Sequence, residues 1–191
     1  MTYPPALPVT DPARGRELLG QVLDRCLPGL HGHYGVETLA RVLTSTGQPH
    51  HQREQAVGGT NFGAGHTWGR LLATGGGVTI HHANARPPVA YLLPWGVVDD
   101  VAGADPHALS QLGAALEARR AHARTFPSVY PDLGVRKVLG GDIHPEDRGL
   151  YAERRQAYNA EVVDPWYARH DELGAQLRAA TGAVLEPTQG F

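Results

Sequence analysis

The sequence predicts an α+β fold in which a small antiparallel sheet, over about residues 67–101, is packed by helices from both ends of the chain. Segments with helical apolar periodicity stand before and after this middle part. Within it, short apolar segments are separated by glycine- and proline-rich turns, which is typical of antiparallel strands. The chain has 191 residues and is 41% hydrophobic, so it can bury one substantial core.

Aspartate-proline pairs predict where the long helices begin. These pairs are Asp11-Pro12, Asp105-Pro106 and Asp164-Pro165. The aspartate side chain accepts hydrogen bonds from the free N–H groups of the first turn, and proline fits the first helical position. The helices are therefore predicted over residues 12–27, over residues 106–124, and from residue 165 to about residue 182. The first carries an apolar stripe of Leu18, Leu19, Val22, Leu23, Cys26 and Leu27.

The segment between the first helix and the sheet is predicted to contain a short helix between two loops. Residues 29–35 are rich in glycine and histidine and are predicted to form a loop, followed by a helix over residues 36–44. Residues 48–66 are polar and contain four glycines, which predicts a long loop. Loops of this length are usually functional or mobile.

The sheet is predicted from three short segments, over residues 68–74, 78–82 and 89–93. Residues 97–101 fit either a fourth strand or a helical turn, and residues 135–139 are a candidate for one more short strand. Because successive side chains of a strand point to opposite faces, we expect His81 and His82 to lie on opposite faces and to differ in burial. In architecture alone, this arrangement resembles the small curved sheet of pleckstrin-homology domains.

The C-terminal part of the chain is predicted to be helical. Residues 140–147 open a helix that precedes the one from residue 165. We expect a single domain over residues 1–191. Its parts, in chain order, are a helical N-terminal part (1–47), a loop (48–66), a β-meander (67–104), a helical part (105–182) and a tail (183–191).

Composition and charge limit the classes of function. The formal net charge of −2 and the pI near 6.6 argue against a protein whose whole surface binds nucleic acid. No apolar run approaches the roughly 20 residues that span a bilayer, and the N-terminus has no signal-peptide pattern. The single cysteine, Cys26, excludes a disulfide within the chain. We therefore expect a cytoplasmic protein without a membrane partner.

Two groups of histidine and carboxylate residues have spacings that suit a divalent metal. The first group is His31, His33 and Glu37, and the second is Asp142, His144 and Asp147. The arrangement His-x-His-x3-Glu resembles part of the first motif of cupins, and the resemblance implies metal ligands. The second group also matches an ordinary helix start, with acidic residues in the first turn. We favour the non-metal alternative in both cases and expect no cofactor.

A second resemblance involves His31-Gly32 and the later segment Phe62-Gly63-Ala64-Gly65-His66-Thr67-Trp68. These segments resemble ADP-ribosyltransferases of the histidine-tyrosine-glutamate type. The resemblance implies that His31 and Trp68 contact NAD and that Glu117 or Glu153 is the acid. An enzyme centred on residues 29–35, either NAD-using or a metal-dependent hydrolase, is therefore an alternative function.

A local excess of positive charge predicts the leading function. This basic patch consists of Arg119, Arg120, Arg124, Arg136 and Lys137, with Asp132 as the only acidic residue in the interval. We expect the patch to be exposed and to bind nucleic acid or an acidic protein. The leading hypothesis is a non-catalytic binding or regulatory protein that acts through the patch and the C-terminal helices. A further alternative is a structural subunit of a larger assembly, with Trp166 and Tyr167 as interface anchors.

Overall fold

The computed structural model describes residues 4–28, 30–63, 68–83, 85, 87–129 and 131–186, without the side chains of residues 30–32. Its helices are α1 (Pro12–Arg25), α2 (Leu30–Thr44), α3 (His50–Val57), α4 (Trp95–Gly103), α5 (Pro106–Ala123), α6 (Arg148–Tyr158) and α7 (Asp164–Leu185). Its strands are β1 (Leu7–Pro8), β2 (Gly59–Phe62), β3 (Gly69–Thr74), β4 (Gly77–His82) and β5 (Val89–Pro94). The predicted α+β class, a small sheet packed against helices, is confirmed. None of the described helices is long and apolar enough to cross a membrane.

The chain forms two compact units. The first consists of Met1–Arg119 together with Leu173–Phe191, and the second consists of Arg120–Glu172. The first unit contains the sheet and the apolar core. The second contains α6 and the connecting segments around it.

The sheet of the first unit has the strand order β1-β5-β4-β3-β2, with β1 parallel to β5 and the other neighbours antiparallel. Side chains on one face, such as Leu71, Ile80 and Leu93, are fully buried and join a core with apolar residues of α1, α2, α4, α5 and α7. The paired residues Asn61, Arg70 and His81 belong to the opposite face. The first face is therefore mainly apolar. The second, which we call the polar face, carries these polar residues together with Leu72, Ala90 and Leu92.

The three predicted strands are confirmed to within a residue or two, as β3, β4 and β5. Residues 97–101 lie in α4 and so form a helix. The candidate strand at residues 135–139 contributes only an isolated bridge between Lys137 and Ile143. Strands β1 and β2 were not predicted, because they are short edge strands without an alternating apolar pattern.

Two predicted loops are corrected by the structure. Residues 30–35 belong to α2, and residues 48–66 contain α3 and β2. Gly35 packs inside the core instead of opening a loop, since an ideal Cβ at this position would lie 2.5 Å from Cys26 Sγ. Because Gly35 has no side chain, α2 can lie close to the end of α1 at this position. Leu27, which was assigned to the apolar stripe of α1, is 52% exposed because the helix ends at Arg25.

Two of the three aspartate-proline pairs begin capped helices. The Asp11 carboxylate accepts from the Ala13 N–H at 3.1 Å, and the Asp105 carboxylate accepts from the N–H groups of His107 and Ala108, each at 3.0 Å. The third pair differs. Helix α6 continues into α7 through a π-helical segment, Asn159–Val163, so Asp164 caps no free helix end.

Proline explains the π segment. In a uniform α-helix, Pro165 would lack a hydrogen bond and its ring would press on the carbonyl group four residues earlier. Here the Asp164 N–H donates to the Asn159 carbonyl, five residues earlier. This wider turn lets the backbone pass the proline without ending the helix.

A buried arginine links α3 to α4 in the first unit. Arg53 is fully buried, and its guanidinium donates to both carboxylate oxygens of Asp99, at 2.7 and 3.1 Å. Its Nε donates to Ser45 Oγ at 3.0 Å, and its carbon Cζ lies 4.0 Å from the centre of the Trp95 ring. The hydrogen bonds and the ring contact satisfy a charge that burial alone would strongly disfavour.

Candidate functional site

The first histidine group lies on a helix and takes part in a buried polar cluster. The His31 side chain lies outside the described residues, whereas His33 is buried on α2. One turn later, Glu37 Oε2 lies 3.7 Å from Nε of Arg119, which is only 2% exposed. An ideal Cβ at Gly174 of α7 would lie 2.5 Å from both Arg119 Nη1 and His33 Cε1, so both side chains pack directly over this glycine.

This cluster corrects the predicted basic patch. Arg119 was expected on an exposed surface, but its guanidinium is turned inward beside Glu37 and His33. The ion pair and the space over Gly174 account for its burial, since a buried guanidinium needs a charge partner. Arg119 is therefore part of the interior of the first unit.

The second histidine group forms a helix start. His144 caps the 3₁₀ turn Pro145–Asp147, with its Nδ1 accepting from the Glu146 N–H at 3.4 Å. The Asp147 carboxylate accepts from Arg136 Nη2 at 2.6 Å, and the Arg136 guanidinium and backbone N–H hold the pKa of Asp147 low, at about 2. Within the described residues, no three His, Cys, Asp or Glu side chains are grouped so that they could hold a metal ion.

The remaining members of the basic patch have different surroundings. Arg136 is 60% exposed, but Glu146 and Asp147 both pair with it. Lys137 is exposed and lines a cavity of about 250 Å³ that Asp132 and Asp142 also line.

Arg120 and Arg124 are both exposed in the second unit. They are four residues apart and therefore share one side of the helical turn that ends α5. Of the predicted patch, these two arginines are both exposed and lie within one helical turn of each other.

The two sheet histidines lie on opposite faces, as predicted. His82 is 8% exposed and its ring contacts the edges of Phe62 and Tyr91, with centroid distances of 6.2 and 6.0 Å. Its Nδ1 accepts a hydrogen bond from Arg25 Nη1. His81 lies on the polar face beside Arg70 and is only partly buried. Burial, and then the nearby arginines, lower the pKa of both histidines.

His82 predicts a pH dependence of stability. Because its pKa is lower in the folded than in the unfolded protein, its contribution to stability is present above the unfolded pKa of about 6.5 and is lost as the pH falls. We expect the free energy of unfolding to fall between pH 7 and pH 5, and His82→Asn to reduce that fall. The measurement is urea denaturation at both pH values.

The comparison is made between pH values, so a uniform loss of stability in the variant does not affect it. His51→Asn, at an exposed histidine of α3, is the control and should keep the wild-type difference. If His82→Asn also keeps the full wild-type difference, the buried imidazole does not cause it.

A groove follows the outer edge of the sheet. Strand β2 is the last strand in the sheet order. One cavity of about 410 Å³ is lined by Tyr34, Thr60, Asn61, Phe62, Gly63 and Trp68. A second, of about 530 Å³, is lined by Gly59, Thr60, Asn61, Trp68 and Arg70. The two cavities share three lining residues, Thr60, Asn61 and Trp68, and we call them together the β2 groove.

The groove brings together the two segments on which the ADP-ribosyltransferase resemblance depends, through Tyr34 and Trp68. It does not include the acid that the resemblance implies. None of the described lining residues is acidic, and Glu117 and Glu153 are exposed on α5 and α6. The Cys26 thiol is no substitute nucleophile, since it is fully buried and burial raises its pKa to about 11.

The second unit contains a set of packed rings, which we call the ring cluster. Its members are His122, Phe126, Trp166, Tyr167 and His170. The Trp166 indole stacks against His122 and against His170, each at 4.7 Å between centroids and 17° between planes, and the two imidazoles lie 5.9 Å from each other. Phe126 and Tyr167 meet Trp166 edge to face, at 4.8 and 5.2 Å. The spacing of four residues puts Trp166 and His170 on one face of α7, while Phe126 lies just beyond the end of α5.

Hydrogen bonds hold the centre of the ring cluster. Trp166 Nε1 donates to Thr125 Oγ1 at 3.2 Å, and the Thr125 hydroxyl donates to the His122 carbonyl at 2.7 Å. His122 Nε2 lies 3.0 Å from the Trp166 carbonyl oxygen. Phe126 and Tyr167 remain 45% and 44% exposed. Two aromatic rings therefore face solvent while they pack against the hydrogen-bonded Trp166.

Sequence patterns pointed to single members of these sites, namely Trp68, Trp166 and Tyr167. They did not connect Trp68 with Asn61 and Arg70, because residues 48–66 were assigned to a loop. The histidines of the ring cluster were also missed, although their spacing of four from an aromatic residue was a usable signal. No family model matches this sequence, no curated protein matches it, and no solved structure matches it.

Proposed function

We propose that this protein is a non-catalytic binding protein whose ring cluster, together with Arg120 and Arg124, binds an acidic protein segment that also carries apolar side chains. The observation that carries the proposal is the exposure of Phe126 and Tyr167 on a stacked and hydrogen-bonded Trp166. Exposed aromatic rings of this size are typical of the anchors of protein interfaces.

The support beneath the two exposed rings favours binding. Ordering a side chain on association costs about 0.5–1.5 kcal/mol. Phe126 and Tyr167 already contact each other, with their centroids 6.0 Å apart, and both contact Trp166. Much of the cost of ordering these side chains therefore falls on folding and not on binding. The rings present an ordered apolar surface to a partner.

Charge favours an acidic protein over nucleic acid. Arg120 and Arg124 contribute two exposed guanidinium groups to this unit. Residues 120–172 as a whole carry seven arginines and one lysine against nine aspartates and glutamates, a formal net charge of −1. Nucleic-acid binding depends on neutralising many phosphates, which this balance does not supply. Two arginines suit a few carboxylates beside an apolar anchor.

The proposal is tested by selecting a random peptide library on the protein and measuring the enriched peptides by fluorescence anisotropy. We expect enriched peptides with Asp or Glu near a large apolar residue. Phe126→Ser with Tyr167→Ser should weaken their binding by about tenfold or more, since aromatic anchors contribute about 2 kcal/mol. Arg120→Ala with Arg124→Ala should weaken it less and should remove most of its salt dependence.

Matched controls come from exposed residues elsewhere. Tyr34→Ser removes a 54% exposed ring from the first unit, and Arg148→Ala removes an exposed charge from α6. Both should leave peptide binding unchanged. Peptides that bind all variants equally, or a single-stranded oligonucleotide that binds more tightly than any peptide, would contradict the proposal. Circular dichroism checks that each variant is folded.

A further inference from the structure

We infer that the β2 groove is a binding site for a small planar aromatic molecule that carries an anionic group, such as a nucleoside monophosphate. This site lies in the first unit and is independent of the ring cluster. The inference depends on three features of the groove: its aromatic lining, its hydrogen-bonding groups and one arginine.

The aromatic lining comes from two parts of the chain. Tyr34 projects from α2 and is 54% exposed, while Trp68 lies directly before β3 and is partly buried. Both line the same space of about 410 Å³, above the buried ring of Phe62. Sites for small molecules commonly have volumes of about 300–1,000 Å³ and aromatic walls, which gain area by contact with a planar ligand.

The hydrogen-bonding groups come from the edge strand. Thr60 and Asn61 line both cavities. The Asn61 amide is exposed and can donate and accept hydrogen bonds. Among the described residues, β2 is an edge strand of the sheet, and an edge strand offers backbone N–H and C=O groups for further hydrogen bonds. Such groups suit the ring nitrogens and exocyclic groups of a heteroaromatic ligand.

The charge comes from Arg70 at one end of the groove. Arg70 pairs directly with Asn61 across β2 and β3, so both belong to the polar face. No acidic side chain of the described residues forms an ion pair with it or lines the groove. Its neighbour His81 is held neutral, because burial and then Arg70 lower the pKa of that imidazole. A guanidinium in these surroundings is suited to a phosphate or carboxylate.

The test uses AMP, adenosine and inorganic phosphate as probes of the full-length protein, with tryptophan fluorescence and thermal stabilisation as readouts. We expect AMP to quench fluorescence and to raise the melting temperature. Adenosine should do so more weakly, and phosphate should compete with AMP without quenching. Arg70→Gln should weaken AMP binding by about tenfold while leaving adenosine binding unchanged, since a charge-assisted contact is lost.

A tryptophan variant and a control identify the site. Trp68→Phe should abolish the quenching while keeping part of the thermal stabilisation, whereas Arg148→Ala, at an exposed arginine of α6, should leave both unchanged. If Trp68→Phe disturbs folding, Tyr34→Ser replaces it, and is expected to weaken AMP and adenosine binding equally. The inference is overturned if AMP gives neither signal up to about 10 mM, a Kd that corresponds to about 3 kcal/mol of binding energy. It is also overturned if AMP binds Arg70→Gln and Tyr34→Ser as tightly as the wild type.

Discussion

Arg53→Ala is expected to lower the free energy of unfolding by about 3 kcal/mol, because it removes a fully buried charge partner and leaves a cavity. The change breaks two hydrogen bonds to Asp99 and one to Ser45, and it uncovers the face of Trp95. Urea denaturation measures the loss. Arg120→Ala, at an exposed arginine, is the control and should change stability by less than about 0.5 kcal/mol.

Arg53→Met separates packing from charge. Methionine can still cover the Trp95 ring, and the Asp99 side chain is 38% exposed, so water can solvate the carboxylate left without its partner. We therefore expect Arg53→Met to be less destabilising than Arg53→Ala. Equal losses in the two variants would mean that the ion pair, and not the packing on Trp95, dominates. A loss below about 1 kcal/mol in Arg53→Ala would contradict the stabilising role of the arginine.

Gly35→Ala is expected to lower the free energy of unfolding by about 2 kcal/mol, although alanine is the better helix former by about 1 kcal/mol. The added methyl group would collide with Cys26 Sγ in a fully buried part of the core. Gly113→Ala is the matched control. Gly113 also lies within a helix, but nothing lies within 4 Å of its ideal Cβ, so this change should stabilise the protein by up to about 1 kcal/mol.

A double-mutant cycle with Cys26→Ala identifies the contact. Removing the sulfur atom alone leaves a small cavity, which the methyl group of Gly35→Ala can partly fill. The loss in the free energy of unfolding in the double variant should therefore be smaller, by about 1–2 kcal/mol, than the sum of the losses in the two single variants. Additive losses, or a Gly35→Ala variant as stable as the wild type, would show that the close approach at this glycine is not required.

The successful predictions from sequence depended on local signals. Asp11 and Asp105 cap their helices because a carboxylate two or three residues before a free N–H can always reach it. Strands β3 to β5 follow from apolar segments between strong turn signals. The Asp164-Pro165 pair has the same local signal, but there helix α6 precedes it directly and continues into α7 through a π segment.

The N-terminal half shows where local signals fail. Glycines before Val36 indicated a loop, yet Gly35 lies in α2 because Cys26 and Phe62 pack against it. Strand β2 has a polar sequence and is held by pairing with β3, which no local pattern reveals. In both cases the favourable contacts come from another element of the fold, and these outweigh a weak propensity.

The sequence by itself determined the α+β class, the two capped helix starts and the central strands, because each of these depends on residues within a few positions of one another. Only the tertiary structure decided what the functional candidates do. It buried Arg119 beside Glu37, paired Arg136 with Asp147, stacked Trp166 against two histidines and placed Trp68, Asn61 and Arg70 around one cavity. The physical reason is that burial, charge pairing and ring stacking are set by neighbours in space, which residue types and spacing do not specify.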